Sequence, residues 1–213
     1  MVRFNVTTTR TDNSRLAAKL ALRRHFLRRY HPEPADRKVL DCCQGNGLIW
    51  LALRKEFPVE SYWGLDVTRR RGRLAIDSVR VLQQPGLQQN IIDIDTYGSP
   101  WRHWFALLPN VRHPSTVFLT AGRTNIPGTS RDECHALGLD ALPVPITLLS
   151  RVRDLMQRGC LAAAAQHGLR IVEGLGVQGS EATRYLGLRI EPAEPQDHAR
   201  ESQPHCTSPQ EAF

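Results

Sequence analysis

The stretch Lys38-Val39-Leu40-Asp41-Cys42-Cys43-Gln44-Gly45-Asn46-Gly47 constrains the fold more than any other part of this chain. A short apolar run ends in an acid, glycines follow, and Leu48-Ile49-Trp50-Leu51-Ala52-Leu53 comes next, so the order reads as strand, tight turn and helix. Glycine has no Cβ and tolerates positive φ, which lets backbone at Gly45 and Gly47 come close to a ligand at the carboxyl end of the strand. Ser61-Tyr62-Trp63-Gly64-Leu65-Asp66 reads as a second strand that also ends in an acid, about 25 residues after Asp41. That separation suits a carboxylate accepting from both hydroxyls of a ribose.

The rest of the chain continues the alternation. A basic first helix is expected over about residues 13–30, capped by Asp12-Asn13-Ser14, with Leu16, Leu20, Phe26, Leu27 and Tyr30 as its apolar face and Lys19, Arg23, Arg24 and Arg28 off it. Residues 73–77 read as a third strand ending in Asp77, after a connection too short for a full crossover helix. Residues 90–94 and 115–120 carry β-branched and aromatic strand chemistry, with a helix over 101–108 between them. A helix over 146–167 follows, then runs at 169–174 and 183–190 joined by a loop containing Gly176, Gly179 and Ser180. The expected fold class is α/β: a Rossmann-like, mostly parallel central sheet with helices on both faces and an antiparallel C-terminal hairpin.

At 213 residues and 41% hydrophobic content the chain can bury one sizeable core, so a single domain over residues 1–191 is expected. Beyond it Pro, Glu, Gln, Ser and His dominate, and residues 192–213 are expected to form a disordered tail. No run approaches the roughly 18 to 20 apolar residues that span a bilayer, and no signal-peptide core stands at the N-terminus. A soluble, cytoplasmic protein without membrane partners is the expectation. The five cysteines form no Cys-x-x-Cys pair, and Cys134-His135 has no matching ligand pair, so no metal is expected. Oligomeric state is not legible.

The formal charge of +7 is carried mainly by arginine, at Arg23, Arg24, Arg28 and Arg29 and at Arg69, Arg70, Arg71 and Arg73. Guanidinium forks suit phosphate, which makes nucleic acid, DNA or RNA, the expected partner; a solvated basic surface is the alternative. A nicotinamide dinucleotide would want a small residue where Trp50 stands. Its pyrophosphate would also be repelled by Asp41, which instead suits a ligand carrying an amino group.

On these residues the chain resembles the class I methyltransferases that use S-adenosyl-L-methionine (SAM). Val39 to Gly47 looks like their glycine-rich first motif, with Cys43 where a small residue is common, and Gly64-Leu65-Asp66 resembles their second. Ile76-Asp77-Ser78 is similar to the stretch that receives the adenine amino group. Asp95-Thr96-Tyr97-Gly98-Ser99-Pro100, at the end of the fourth strand, resembles the catalytic motif of the amino-group type. Its nearest likeness is the Asp-Pro-Phe/Tyr-Gly-Ser-Pro motif of tRNA (guanine N2) dimethyltransferases, with Thr96 in place of proline. Asn13-Ser14-Arg15 is similar to their Asn-Arg-Asp element.

The resemblance implies a SAM-dependent N-methyltransferase acting on an exocyclic amino group of a nucleic-acid base. Arg15, Asp41, Cys43, Gly45, Gly47, Asp66 and Asp77 would hold the cofactor, and Asp95 and Tyr97 would be catalytic. An exocyclic amine is a poor nucleophile because its lone pair is delocalised into the ring. An acceptor such as Asp95 can polarise its N–H bonds and align it, while Tyr97 stacks on the base. Alternatively Asp95 caps a turn and Tyr97 packs. Trp101 and Trp104 are expected in the core, and His103 is expected to be neither catalytic nor a phosphate ligand. Arg123 and Asn125, after the fifth strand, are compatible with substrate contact. A catalytically inactive nucleic-acid-binding protein, or an enzyme acting on a protein or small-molecule amine, stands as the rival.

Overall fold

A computed structural model describes residues 15–69, 74–96, 99–122, 149–180 and 183–193. The first helix, α1 (Leu16–Tyr30), begins after Arg15, which offers no side-chain cap, and ends at His31 before Pro32. Asp12-Asn13-Ser14 lies outside the described residues. There follow β1 (Lys38–Asp41), α2 (Leu48–Glu56), β2 (Ser61–Asp66), β3 (Leu74–Ala75), α3 (Ser78–Leu82), β4 (Ile91–Ile94), α4 (Trp101–Leu107), β5 (Ser115–Ala121), α5 (Leu149–Gln166), β6 (Leu169–Ser180) and β7 (Thr183–Pro192). The strands make one seven-stranded sheet in the order β3-β2-β1-β4-β5-β7-β6. Pairing is parallel from β3 to β5, while β7 runs antiparallel to both β5 and β6.

Side-chain alternation gives each strand two destinations. On one face Leu40, Ile92, Ile94, Val117 and Leu119 pack with Trp101 and Trp104 of α4 and Cys160 of α5. On the other, Val39, Ile91 and Phe118 meet Leu22, Phe26 and Leu27 of α1 and Trp50 and Leu53 of α2. Trp101 and Trp104 are buried as the sequence implies, and the Trp104 indole donates to the Cys160 carbonyl at 2.7 Å.

Three expectations change. The 176–180 stretch is not a loop: β6 runs through it, and Gly176 and Gly179 are strand positions where the partner strand crowds in. A Cβ on Gly179 would lie 2.6 Å from the Tyr185 ring, so these glycines clear space rather than make a turn. The third strand is only Leu74–Ala75, and Asp77 caps α3, accepting from the Val79 N–H at 3.0 Å. Finally, Lys19 and Arg23 do not lie off the apolar face of α1. They are 3% and 1% exposed, because the acids they reach lie beneath the helix.

The outer arginines of α1 are also engaged. Arg24 and Arg28 pair with Glu56 of α2 at 2.7 Å, and His25, Tyr30 and Arg29 converge on Glu173. Glu173 follows a break in the β6–β7 register after Ile171. Among the described residues no helix is long and apolar enough to cross a membrane, and no group of His, Cys, Asp and Glu could hold a metal. Residues 194–213, the bulk of the expected tail, lie outside the described residues.

Candidate active site

The chain order reverses between β1 and β4, which leaves a crevice at their carboxyl ends. Asp41 ends β1 and stands in register beside Asp93 of β4, and Asp95 follows two positions later on the same side. Asp41, Cys43, Gln44, Gly47, Asp93 and Asp95 are among the residues lining a cleft there. Three carboxylates in one partly dry place repel one another unless cations answer them.

Two of them are answered from α1. Arg23 clamps Asp93 with Nε at 2.7 Å and a terminal nitrogen at 2.6 Å, and the Trp50 indole donates to the same carboxylate at 2.8 Å. Burial alone would lower the Arg23 pKa, but Asp93, aided by Asp95 and Asp41, raises it, so the guanidinium stays charged. Lys19, one helical turn earlier, places Nζ 2.7 and 2.8 Å from the two oxygens of Asp95, and Thr120 of β5 donates to Asp95 as well.

Asp41 is the exception. It is 4% exposed and accepts from the Tyr62 hydroxyl at 2.8 Å, but no lysine or arginine among the described residues bonds to it. Burial first, then the nearby Asp93 and Asp95, push its pKa well above the usual carboxylate range, with Tyr62 and Arg23 opposing. The Tyr62 hydroxyl in turn stays protonated, held up by burial and by Asp41.

The glycine turn forms as expected, with Gly45 and Gly47 at φ of 53° and 67°. It is sewn to its neighbours: Cys42 N–H donates to the Asp93 carbonyl, Gln44 N–H to the Leu65 carbonyl, and Gly45 N–H to Asp66 at 3.0 Å. Asp66 also accepts from Thr68 N–H at 2.8 Å. Gln44 folds its amide over Gly64, where a Cβ would lie only 2.5 Å from Oε1, and that oxygen is buried with no partner among the described residues. Beside the turn, the half-buried His103 contacts Ser78 Oγ at 3.0 Å and Cys43 Sγ at 4.0 Å, and burial lowers its pKa to about 4. Burial likewise pushes the Cys43 thiol up, so it is no nucleophile.

Asp41, Cys43, Gly45, Gly47 and Asp66 are thus brought together around one turn, with Asp95 across the cleft. Asp77 stands further out, near Arg102 at 3.7 Å. Arg15 is exposed at the start of α1, a turn ahead of Lys19. Tyr97, Arg70, Arg71, Arg73, Arg123, Asn125 and Cys134-His135 lie outside the described residues. Sequence reasoning missed Lys19, Arg23, Asp93 and Tyr62. A signal existed: Lys19, Leu22, Arg23, Phe26, Leu27 and Tyr30 recur at helical spacing, and Asp93 interrupts an otherwise apolar run.

No protein-family model matches the sequence, and no curated protein matches it. Solved structures match its fold. Trm1 from Pyrococcus horikoshii, in complex with S-adenosyl-L-methionine, aligns over 84% of this chain with a TM-score of 0.59 and 16% identity. This chain spans 55% of that protein's length. TYW2 from M. jannaschii in complex with AdoMet aligns over 88% of this chain and 79% of its own, at 6% identity and a TM-score of 0.50. Magnesium protoporphyrin IX methyltransferase from Synechocystis PCC 6803 with bound SAH aligns over 89% of each chain, at 12% identity and a TM-score of 0.50. The fold is the Rossmann-like class I methyltransferase fold.

Proposed function

We propose that this chain is a SAM-dependent N-methyltransferase acting on an exocyclic amino group of a nucleic-acid base. The observation that carries the cofactor assignment is Asp41: Asp93 and Asp95 are answered by Arg23 and Lys19, whereas Asp41 meets no lysine or arginine among the described residues, and its raised pKa reports a buried acid that an incoming cation would let ionise. SAM, with a sulfonium, an ammonium and one carboxylate, is net positive and brings an ammonium that can answer Asp41, whereas a pyrophosphate would keep that acid from ionising. The residues therefore fit the cofactor.

In this reading Asp41 receives the cofactor's amino group and Asp66, through lone pairs beyond those given to Gly45 and Thr68, the ribose hydroxyls. Gly45 and Gly47 let the backbone approach, Arg15 reaches the carboxylate, and Cys43 and Asp77 border the adenine side. The orphaned Gln44 oxygen is a further acceptor facing the same turn. When bound, SAM supplies an electrophilic methyl group on sulfur, which leaves as a neutral thioether. Asp95 accepts an N–H from the acceptor amine and aims its lone pair at the methyl carbon. The nitrogen would take that methyl group and lose its proton to water, with Asp95 remaining an acceptor throughout. Tyr97 stacks on the base, which is cheapest to present from a loop or single strand.

A nucleic-acid substrate is supported by the net charge of +7 and by the Trm1 likeness in fold. The rival, an inactive basic binder, predicts salt-sensitive nucleic-acid binding that is indifferent to SAM and survives loss of Asp95. Calorimetry with SAM, S-adenosylhomocysteine (SAH) and NAD on wild type and Asp66→Ala tests the cofactor: SAM binding lost in the variant supports it, and NAD preferred over SAM overturns it. Transfer of labelled methyl from SAM to unmodified RNA transcripts and to DNA then tests the substrate. Label appearing only in protein or in small amines would overturn the nucleobase reading.

A further inference from the structure

Asp95 leaves β4 held from two sides, by α1 and by β5. Lys19 reaches both of its oxygens from α1, Thr120 donates to Oδ1 from β5, and Thr96 Oγ1 bonds the Thr120 carbonyl, tying the next residue to the same strand. The Lys19 side chain is 4% exposed and its ammonium sits 5.0 Å from the centre of the Tyr185 ring, so the cation is fixed as firmly as the acid. A buried lysine costs desolvation, and its stability return is small when an apolar pair would fill the same space. Its geometry nonetheless has a use. Oδ1 already accepts two hydrogen bonds, whereas Oδ2 accepts only one from the described residues. Among the described residues the carboxylate therefore keeps one directed acceptor position, on Oδ2, and Asp95 lines the cleft together with Asp41.

We propose that Lys19 is a positioning residue for methyl transfer, clamping Asp95 so that the remaining Oδ2 lone pair meets the acceptor N–H. The inference rests on the reading of Asp95 given above. Lys19 touches neither methyl nor amine in this account and acts through Asp95 alone. Because an ammonium only donates, it leaves Asp95 an acceptor, and the proton released from nitrogen still goes to water. Thr120 is the second clamp, on the other oxygen.

The test is single-turnover methyl transfer from labelled SAM to the RNA and DNA acceptors of the previous section, in the full chain. Lys19→Met is expected to lower the rate by about 30- to 100-fold, as a misplacement on the order of 1 Å does, with SAH affinity unchanged by calorimetry. Lys19→Arg should recover part of the rate and Thr120→Val should lose less than Lys19→Met. The deciding measurement is made in an Asp95→Asn background, where Lys19→Met should cost no further rate. A separate structural role would multiply the two losses, and that outcome overturns the proposal. If Lys19→Met fails to fold, Thr120→Val against Asp95→Asn makes the same cycle. Full rate in Lys19→Met with Asp95→Asn inactive refutes the clamp and leaves the methyltransferase reading standing. Full rate in Asp95→Asn, or no acceptor methylated by wild type, removes the reading and the clamp together.

Discussion

The two faces of β4 serve opposite ends with alternate residues of one short strand. Ile92 and Ile94 enter an apolar layer with Trp101 and Trp104, while Ile91 and Asp93 point under α1, where Asp93 meets Arg23 and Trp50. Both faces are equally dry: Ile92, Ile94 and Asp93 are all at most 1% exposed. They differ in what burial yields. The apolar face converts area into stability, and the charged face holds acids against their own desolvation so that a ligand can be met.

That contrast can be broken most forcefully at Arg23. Arg23→Met should cost about 3–5 kcal/mol in urea unfolding, because the buried Asp93 loses its cation and keeps, among the described side chains, the Trp50 indole as donor. Adding Asp93→Leu should recover most of the loss, since an apolar pair fills that space without desolvation cost. On the opposite face Ile92→Ala should cost about 2–4 kcal/mol through the cavity alone and leave SAM affinity unchanged. If both faces respond alike in SAM binding, the division of labour is wrong.

A smaller effect is expected at the turn. Gly64→Ala drives a Cβ into the Gln44 amide, the far end of a side chain that can swing aside, and should cost at most about 1 kcal/mol, with Gln44→Ala in the same chain restoring it. Additive losses in that double-mutant cycle would show that the crowding is relieved elsewhere.

Asp41 sharpens the comparison with a sign. Its pKa is raised in the folded protein, first by burial and then by Asp93 and Asp95, so the folded state holds a proton the unfolded chain releases. Its stabilising contribution is therefore present below the ordinary carboxylate value and lost as pH rises toward the raised one. Asp41→Asn should raise the Tm of the ligand-free protein at neutral pH by a few degrees and abolish the stabilisation that SAM adds to wild type. A Tm series with and without SAM reads both.

The smallest effect belongs to the histidines. Burial lowers the pKa of His31 and of His103 to about 4, so the stability each contributes is present above its ordinary value of 6.5 and is lost as pH falls from there toward 4. In an Asp41→Asn background, where the opposing slope is absent, Tm should drop between pH 7 and 5, and less steeply once His103→Gln is added. This slope opposes that of Asp41 and so identifies which site governs a given pH interval.

The alternation of strands and helices, the glycine turn and the acids ending β1 and β2 were legible because each leaves a local mark: β-branched runs, closely spaced glycines, an acid where a strand stops. The countercharges were not. Lys19 and Arg23 look like solvated residues unless their register with Leu22, Phe26 and Leu27 is weighed together with an acid hidden in β4, a contact 70 residues away in sequence for Arg23 and Asp93. Glycines misled at β6, where Gly179 clears room for the Tyr185 ring rather than bending the chain. Local composition cannot distinguish those two uses, because the ring belongs to the partner strand.

The helix α1 spans the sheet from Lys19 at the cleft to His31, whose Nε2 lies 2.9 Å from Thr116 Oγ1 at the opposite end of β5. For anyone redesigning this protein, its outside and inside are separate inventories. Arg24, Arg28 and Glu56 can be exchanged as a charge-swapped set to alter how the surface greets a polyanion, while Lys19 and Arg23 are written into the reaction chamber and permit no such editing.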